Sequence, residues 1–445
     1  DPSVIFSQWE DQYFGDKPMN PRGDPDGDGY PNLLEYALGT HPLLANGQAS
    51  EQITSTTAVE GFRFSMQYRV NPNAVNARTV AETYRNGDWQ AVKETSGWSG
   101  LSRQASIPVQ NGEVGLLRLR TRLDNDLNIE VHGPCWGGHA FVLDQGLRVS
   151  GLPLANKRIL GGRVLANDGN SVTLSALDTP LAELIGPERA YMEVLEGPFE
   201  GERWEVASDQ PWPDRLALAV AHAANTKFGP LPDLTGRKVV VRPHLTLGQI
   251  FGRAGQDLDQ PFSVNEADRL WFLESGRLAP YHIAASNDGE QAFGWSRWGD
   301  RSRNWDDRPI FPGEGFFARR SDPQGIAFLL LGEVRLNRMI MQLETGPNLI
   351  APSTPFRQSF AELGLGFGKF KANSLPKTAD QAFIWNGNDF DAYFFFADPF
   401  QGLRWVRTDD EERIDQSNRP LIEIDHGFIL DLIESQRLYT PPYLR

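Results

Sequence analysis

A single cysteine, Cys135, stands among 445 residues, so no disulfide can form within the chain, and one buried thiol is the simplest account of it. No apolar run approaches the roughly 18–20 residues that a membrane helix needs. Basic residues are outnumbered, 43 against 58 acidic, for a formal charge of −15, and they form no stripe. A nucleic-acid binder displaces counterions with such a stripe, so that class is excluded. The histidines at 41, 132, 139, 222, 244, 282 and 426 include no H-E-x-x-H and no close ligand pair for zinc. There is no G-x-S-x-G elbow. Cys135 and His139 share the run Gly-Pro-Cys-Trp-Gly-Gly-His, but nucleophile and base usually meet through the fold. Gly364-Leu-Gly366-Phe-Gly368-Lys369 lacks both the phosphate-loop spacing and its Ser/Thr. Acidic pairs such as Asp306-Asp307 and the run 409–412 read as solvated faces, not as a glycosidase pair. The expectation is a protein that is not an enzyme.

Aromatic residues are plentiful instead: 12 Trp, 10 Tyr and 26 Phe, which suit strand-rich cores. The length implies about three to four domains. From about residue 59 the apolar period is two, with Gly, Asn and Asp at the turns. The fold class expected is mainly β and multidomain: small antiparallel sandwich or barrel modules behind a short helical, cation-binding start. The units expected are 1–50, a small antiparallel module at 51–123, a β domain at 129–236, and two repeats at 237–346 and 347–445. Within the third, Asn167-Asp168-Gly169-Asn170 signals a tight hairpin.

The two repeats rest on matched landmarks. Ala267-Asp268, Tyr281, Gly294-Trp295, Arg308-Pro309 and Gly315-Phe316 recur as Ala379-Asp380, Tyr393, Arg404-Trp405, Arg419-Pro420 and Gly427-Phe428. A near-constant spacing of this kind indicates duplication. Residues 239–243 pair with 348–352 in this scheme, and 334–344 has no counterpart in the second copy. That would leave an open sheet edge. Residues 1–6 read as extended, with Pro2 opposing a helix start, and could add to such an edge in a neighbouring copy, head to tail. A short helix follows, with Ser7 and Glu10 as a capping box and Gly15 as its end.

The densest chemistry lies in Asp24-Pro-Asp26-Gly-Asp28-Gly29-Tyr30-Pro31-Asn32-Leu-Leu-Glu35. Asp falls at positions 1, 3 and 5 of a twelve-residue calcium loop, Gly at 6, Asn at 9 and Glu at 12. The expected Ca2+ ligands are Asp24, Asp26, Asp28, the Tyr30 carbonyl, Asn32 and Glu35. Pro31 removes the backbone N–H through which paired loops join, so the site reads as single and structural. A helix through Leu33, Leu34, Tyr36 and Leu38 should stop at Gly39. Trp295, Trp298, Trp305 and Trp405, set among arginines, are candidates for a ligand or assembly surface, since indole stacks on sugars and guanidinium groups alike.

The segment from Trp9 through Thr40 resembles calcium modules of the dockerin and thrombospondin type 3 kind; it departs from that pattern at His41, where Asp is usual. The resemblance therefore does not extend to a second calcium at the helix exit. From about Val142 onward the chain resembles an uncharacterised family of secreted proteins from Verrucomicrobia-like bacteria. That likeness rests on Gly151-Leu-Pro153, Arg242-Pro-His-Leu-Thr-Leu-Gly248, Ala267-Asp268 and Gly294-Trp295.

The first residues, Asp1-Pro2, suit a mature chain after signal-peptide removal, and calcium is abundant outside cells. The reading is a secreted, extracellular or cell-surface structural protein that self-associates into matrix or filament. The alternative is a carbohydrate-binding surface protein that takes polysaccharide, and third comes a polysaccharide-active enzyme.

Overall fold

Period-two alternation becomes strand after strand: in the computed structural model the chain is mainly antiparallel β-sheet, with a few short helices. The structure describes residues 2–15, 17, 19–45, 51–58, 61–97, 100–124, 128–175, 181–185, 189–207, 215–219, 231–252, 268–285, 292–300, 303–366 and 370–441. Of the features named above, Asp1, His222, Ala267, Gly368 and Lys369 lie outside the described residues.

Near the N-terminus, Gln52–Ala58, Gly61–Arg69, Ser102–Val109 and Glu94–Ser96 form one sheet. A second sheet runs Ile326–Glu333, Trp136–Leu143, Val114–Leu123, Ala77–Arg85, Asp88–Ala91. Phe64, Met66 and Ile107 of the first share a core with Leu117, Leu119 and Ala140 of the second. Burying each such side chain contributes about 1.5–3 kcal/mol. The helix Asn32–Leu38 joins this core through Leu33 and Leu34 and ends at Gly39, whose φ of +79° lets its N–H reach the Glu35 carbonyl.

Residues 2–6 are not extended. A helix spans Pro2–Phe14 and lays Phe6 against Trp9 and Tyr36, at 5.7 and 5.2 Å between ring centres. Pro2 is tolerated because a first-turn residue needs no N–H partner within the helix. Head-to-tail pairing through an extended 1–6 segment is thereby overturned.

A closed barrel follows, in the order Leu160–Asn167, Ser171–Leu174, Arg215–Ala219, Arg203–Val206, Ala190–Val194, Lys238–Pro243. The expected hairpin at 167–170 is there, with Asn167 opposite Val172. Its core holds Val164, Leu174, Met192, Trp204, Leu216 and Val241.

The duplication is seen in sheet order. One five-stranded sheet runs Gly146–Gly151, Gly315–Arg320, Arg269–Glu274, Arg277–Ala285, Ala292–Arg297. The other runs Gly346–Ile350, Phe428–Leu432, Gln381–Trp385, Phe390–Asp398, Gly402–Arg407, the same arrangement. A further antiparallel pair accompanies each: Trp136–Leu143 with Ile326–Glu333, and Met339–Leu343 with Gln436–Thr440.

These pairings correct the expected boundaries. Repeat 1 begins with Trp136–Leu143 and Gly146–Gly151, and the barrel is inserted after them. The counterpart of Gly346–Ile350 is therefore Gly146–Gly151, because Lys238–Pro243 belongs to the barrel. Met339–Leu343, within the segment thought to be unmatched, opens repeat 2, and Gln436–Thr440 covers it in the same chain. No strand is missing there, so the open edge expected from a missing strand loses its basis. Cuts at 129, 237 and 347 miss the units, the last falling inside a strand.

The repeats meet reciprocally. The Gly151 N–H donates to the Asp425 carbonyl at 2.8 Å, and the Ala351 N–H to the Gly313 carbonyl at 2.9 Å. Between them Val149, Phe317 and Leu349 are buried, with Leu273, Trp385 and Ile429 packed around. Each of these has its counterpart in the other copy, as in a two-fold dimer.

Candidate metal centre

Within the loop, side-chain-to-backbone bonds fold the acidic residues inward. Asp24 Oδ1 accepts the Gly27 N–H at 2.9 Å, Asp24 Oδ2 the Gly29 N–H at 3.1 Å, and Asp28 Oδ1 the Tyr30 N–H at 2.9 Å. Gly27 and Gly29 take φ of +83° and +93°, which makes the turn possible. One carboxylate oxygen from each of Asp24, Asp26 and Asp28 then lies within 4.8 Å of the others. The helix that starts at Asn32 adds Asn32 and Glu35, both fully buried.

The donor set fits a hard cation. Asp26 Oδ2, Asn32 Oδ1 and Glu35 Oε2 are buried without a hydrogen-bond partner. Such atoms are costly unless something binds them. Burial first, then repulsion from Asp28 and Asp24, pushes the Asp26 carboxyl up to about 9. Burial first, then Asp28, Asp26 and Asp24, pushes Glu35 up to about 10. A divalent cation among these oxygens would reverse both effects. Tyr30 is buried, and its hydroxyl donates to Glu51 Oε2 at 2.5 Å. At the helix exit, His41 Nδ1 accepts the Leu43 N–H at 3.1 Å while its ring meets Tyr13 edge-on; among the described residues no second acidic group forms there.

Sequence reasoning missed what the loop leans on. It is docked on the barrel strand Leu160–Asn167. A Cβ on Gly27 would come within 2.9 Å of the Gly162 backbone, and one on Gly161 within 2.7 Å of Asp28 Cα. Ser175 Oγ donates to the Asp26 carbonyl and an Arg158 guanidinium N–H to the Asp28 carbonyl, each at 2.9 Å. Lys238 Nζ lies 2.8 Å from Asp24 Oδ2. The Gly161-Gly162 pair inside a strand was the available signal, since such glycines mark close backbone approach.

Arg158 carries the connection inward. It and Arg242 both bind the Glu333 carboxylate, Arg242 at 2.6 Å. Burial alone would raise Glu333, but the Arg158 and Arg242 charges prevail and hold it well below the usual carboxylate range.

The four tryptophans do not form one surface. Trp295 and Trp405 are fully buried, and their indole N–H groups donate to the carbonyls of Gly252 at 3.0 Å and Leu365 at 2.6 Å. They are equivalent core positions of the two repeats, so neither can meet a sugar or another subunit. Trp305 is half-buried beneath Arg303, 3.4 Å from its ring centre. Trp298 is 50% exposed and stacks with Arg269 at 4.4 Å. Cys135 is buried, and burial pushes its thiol up to about 12, far from a thiolate nucleophile.

No protein-family model and no curated protein matches this sequence. Among solved structures, one described as "Ca2+-stabilized adhesin helps an Antarctic bacterium reach out and bind ice" aligns over 80% of this chain and 97% of its own. The identity is 10% and the TM-score 0.13, a likeness too slight to carry an argument.

Proposed function

We propose that this is an extracellular, calcium-stabilised structural protein, a subunit of surface, matrix or filament material, without a catalytic role. One observation carries the reading. The acidic loop sits between the N-terminal helices and the barrel, and its buried, unpartnered oxygens suit calcium. An ion there would fasten two parts of the molecule, which is architecture and not chemistry. Loops of this kind cover a wide range of affinities, which includes the free calcium found outside cells.

Self-association belongs to the same proposal, by a route other than strand exchange. Ala292–Arg297 and Gly402–Arg407 each end one of the two repeat sheets, opposite Gly146–Gly151 and Gly346–Ile350, and outer strands are where copies can pair.

The test is a melt of the whole protein with millimolar calcium and with chelator, followed by light scattering. Calcium at about 100 times its Kd should stabilise the first transition by about 2.7 kcal/mol. Glu35→Ala should abolish that gain. A melt indifferent to calcium would overturn the calcium reading, and a monomer at high concentration with calcium would overturn self-association.

A further inference from the structure

The two repeats offer an internal comparison at one turn. In repeat 1 the turn before Gly315–Arg320 carries Gly313, with φ of +87°. It faces Met339 and Met341 of repeat 2. In repeat 2 the corresponding turn carries Asp425, also left-handed at φ +60°. It faces His139 of repeat 1, the counterpart of Met339, with Nε2 2.8 Å from Asp425 Oδ2. Arg148 pairs with the other oxygen of Asp425. One copy thus builds this junction from glycine and methionine, and the other from three ionisable residues. The backbone does not require the charges, and a side chain at a left-handed position is a strained choice where glycine suffices.

The difference lies at the floor of an open cleft of about 720 Å3 between the N-terminal sandwich and repeat 2. That volume is within the range of about 300–1,000 Å3 for small-ligand sites. His139 Nδ1 is 3.1 Å from the Glu113 carbonyl, so the buried imidazole ties the 113 loop to the 425 turn. Glu113, Glu423 and His426 on those two segments line the cleft, and Tyr84 and Arg85 line it from the Ala77–Arg85 strand. Tyr84 is half-buried and braced edge-on by Trp89 at 5.4 Å and Phe356 at 5.6 Å.

The lining decides the ligand class. Arg85, Arg148 and Arg357 are matched by Glu113, Glu423 and Asp425, so no excess charge awaits a phosphate or polyanion. Arg357 is itself paired with Glu423 at 2.5 Å. Fixed donors and acceptors of both signs beside a braced aromatic ring suit hydroxyl-rich molecules that also have an apolar ring face. We propose that this cleft binds a short, uncharged oligosaccharide, with His139, Asp425 and Arg148 as positioning residues that set its walls. This goes beyond the structural role above and stands whether or not the loop takes calcium.

The test uses the whole protein and four probes: maltotriose, cellotriose, chitotriose and trigalacturonate. Calorimetry should give a Kd below about 1 mM for at least one neutral trisaccharide. The double variant His139→Met/Asp425→Gly installs the residues of the other copy. It should fold, with a melt close to wild type, and bind at least about tenfold more weakly. If it fails to fold, Tyr84→Ala, on the cleft wall, should show the same loss. Binding of none of the probes at 10-fold that concentration, binding of trigalacturonate alone, or unchanged affinity in the folded variants would each overturn the proposal.

Discussion

Gly151 and Ala351 meet where the two repeats join: a Cβ added to Gly151 would overlap the Cβ of Ala351. The glycine is required by this contact and not by its own backbone conformation. The Gly151→Ala variant should therefore lose about 1–3 kcal/mol through overpacking. Ala351→Gly in the same chain should recover part of it, since the two methyl groups compete for one space. Denaturant midpoints of the single and double variants check this. Equal losses that simply add would show that the two residues do not share the junction.

Glu333 supplies a prediction in acid. Its carboxyl ionises well below the ordinary value of 4.5 in the folded chain, so its stabilisation is full above that value, declines as pH falls below it, and is lost only as pH passes the much lower folded value. Glu333→Gln leaves Arg158 and Arg242 buried without their shared anion, which costs about 3–5 kcal/mol near neutrality. Melts of both proteins from pH 7 to pH 3 should draw closer as acid removes part of the wild-type advantage. A gap that stays constant would mean that the Glu333 charge does not stabilise the fold.

Much of this architecture is legible in the chain, and the gaps have physical causes. The cation loop is local: three aspartates and two glycines over six residues dictate turns that need no distant partner. The repeat, too, is legible through Trp295 and Trp405, because each core demands a large ring with its N–H satisfied. The same burial made them poor markers of a surface, since composition does not tell an aromatic packed inside from one on display. The repeat's start was misplaced because the barrel separates Gly146–Gly151 from Arg269–Glu274, and a constant spacing cannot reveal a strand on the far side of an insertion. Pro2 was read as a breaker when it sits in the one helical turn where it does no harm. Lys238 was invisible as part of the centre because 214 positions separate it from Asp24.

That lysine gives the last prediction. In the structure its ammonium pairs with Asp24 Oδ2, occupying charge that a calcium ion on the same carboxylate would otherwise use. The side chain is 24% exposed, so the pair is partly screened and contributes no more than about 1 kcal/mol to the metal-free fold. A divalent ion about 4 Å from that ammonium is repelled by about 2 kcal/mol even at the dielectric of water. Lys238→Met removes the repulsion and keeps most of the apolar stem against the barrel. It should tighten calcium binding by about tenfold to thirtyfold while slightly lowering the melt of the metal-free protein. Calorimetric titration of both proteins, with melts in chelator, separates the two effects. Affinity that is unchanged or weaker would show that Lys238 orders Asp24 for the ion and does not compete with it.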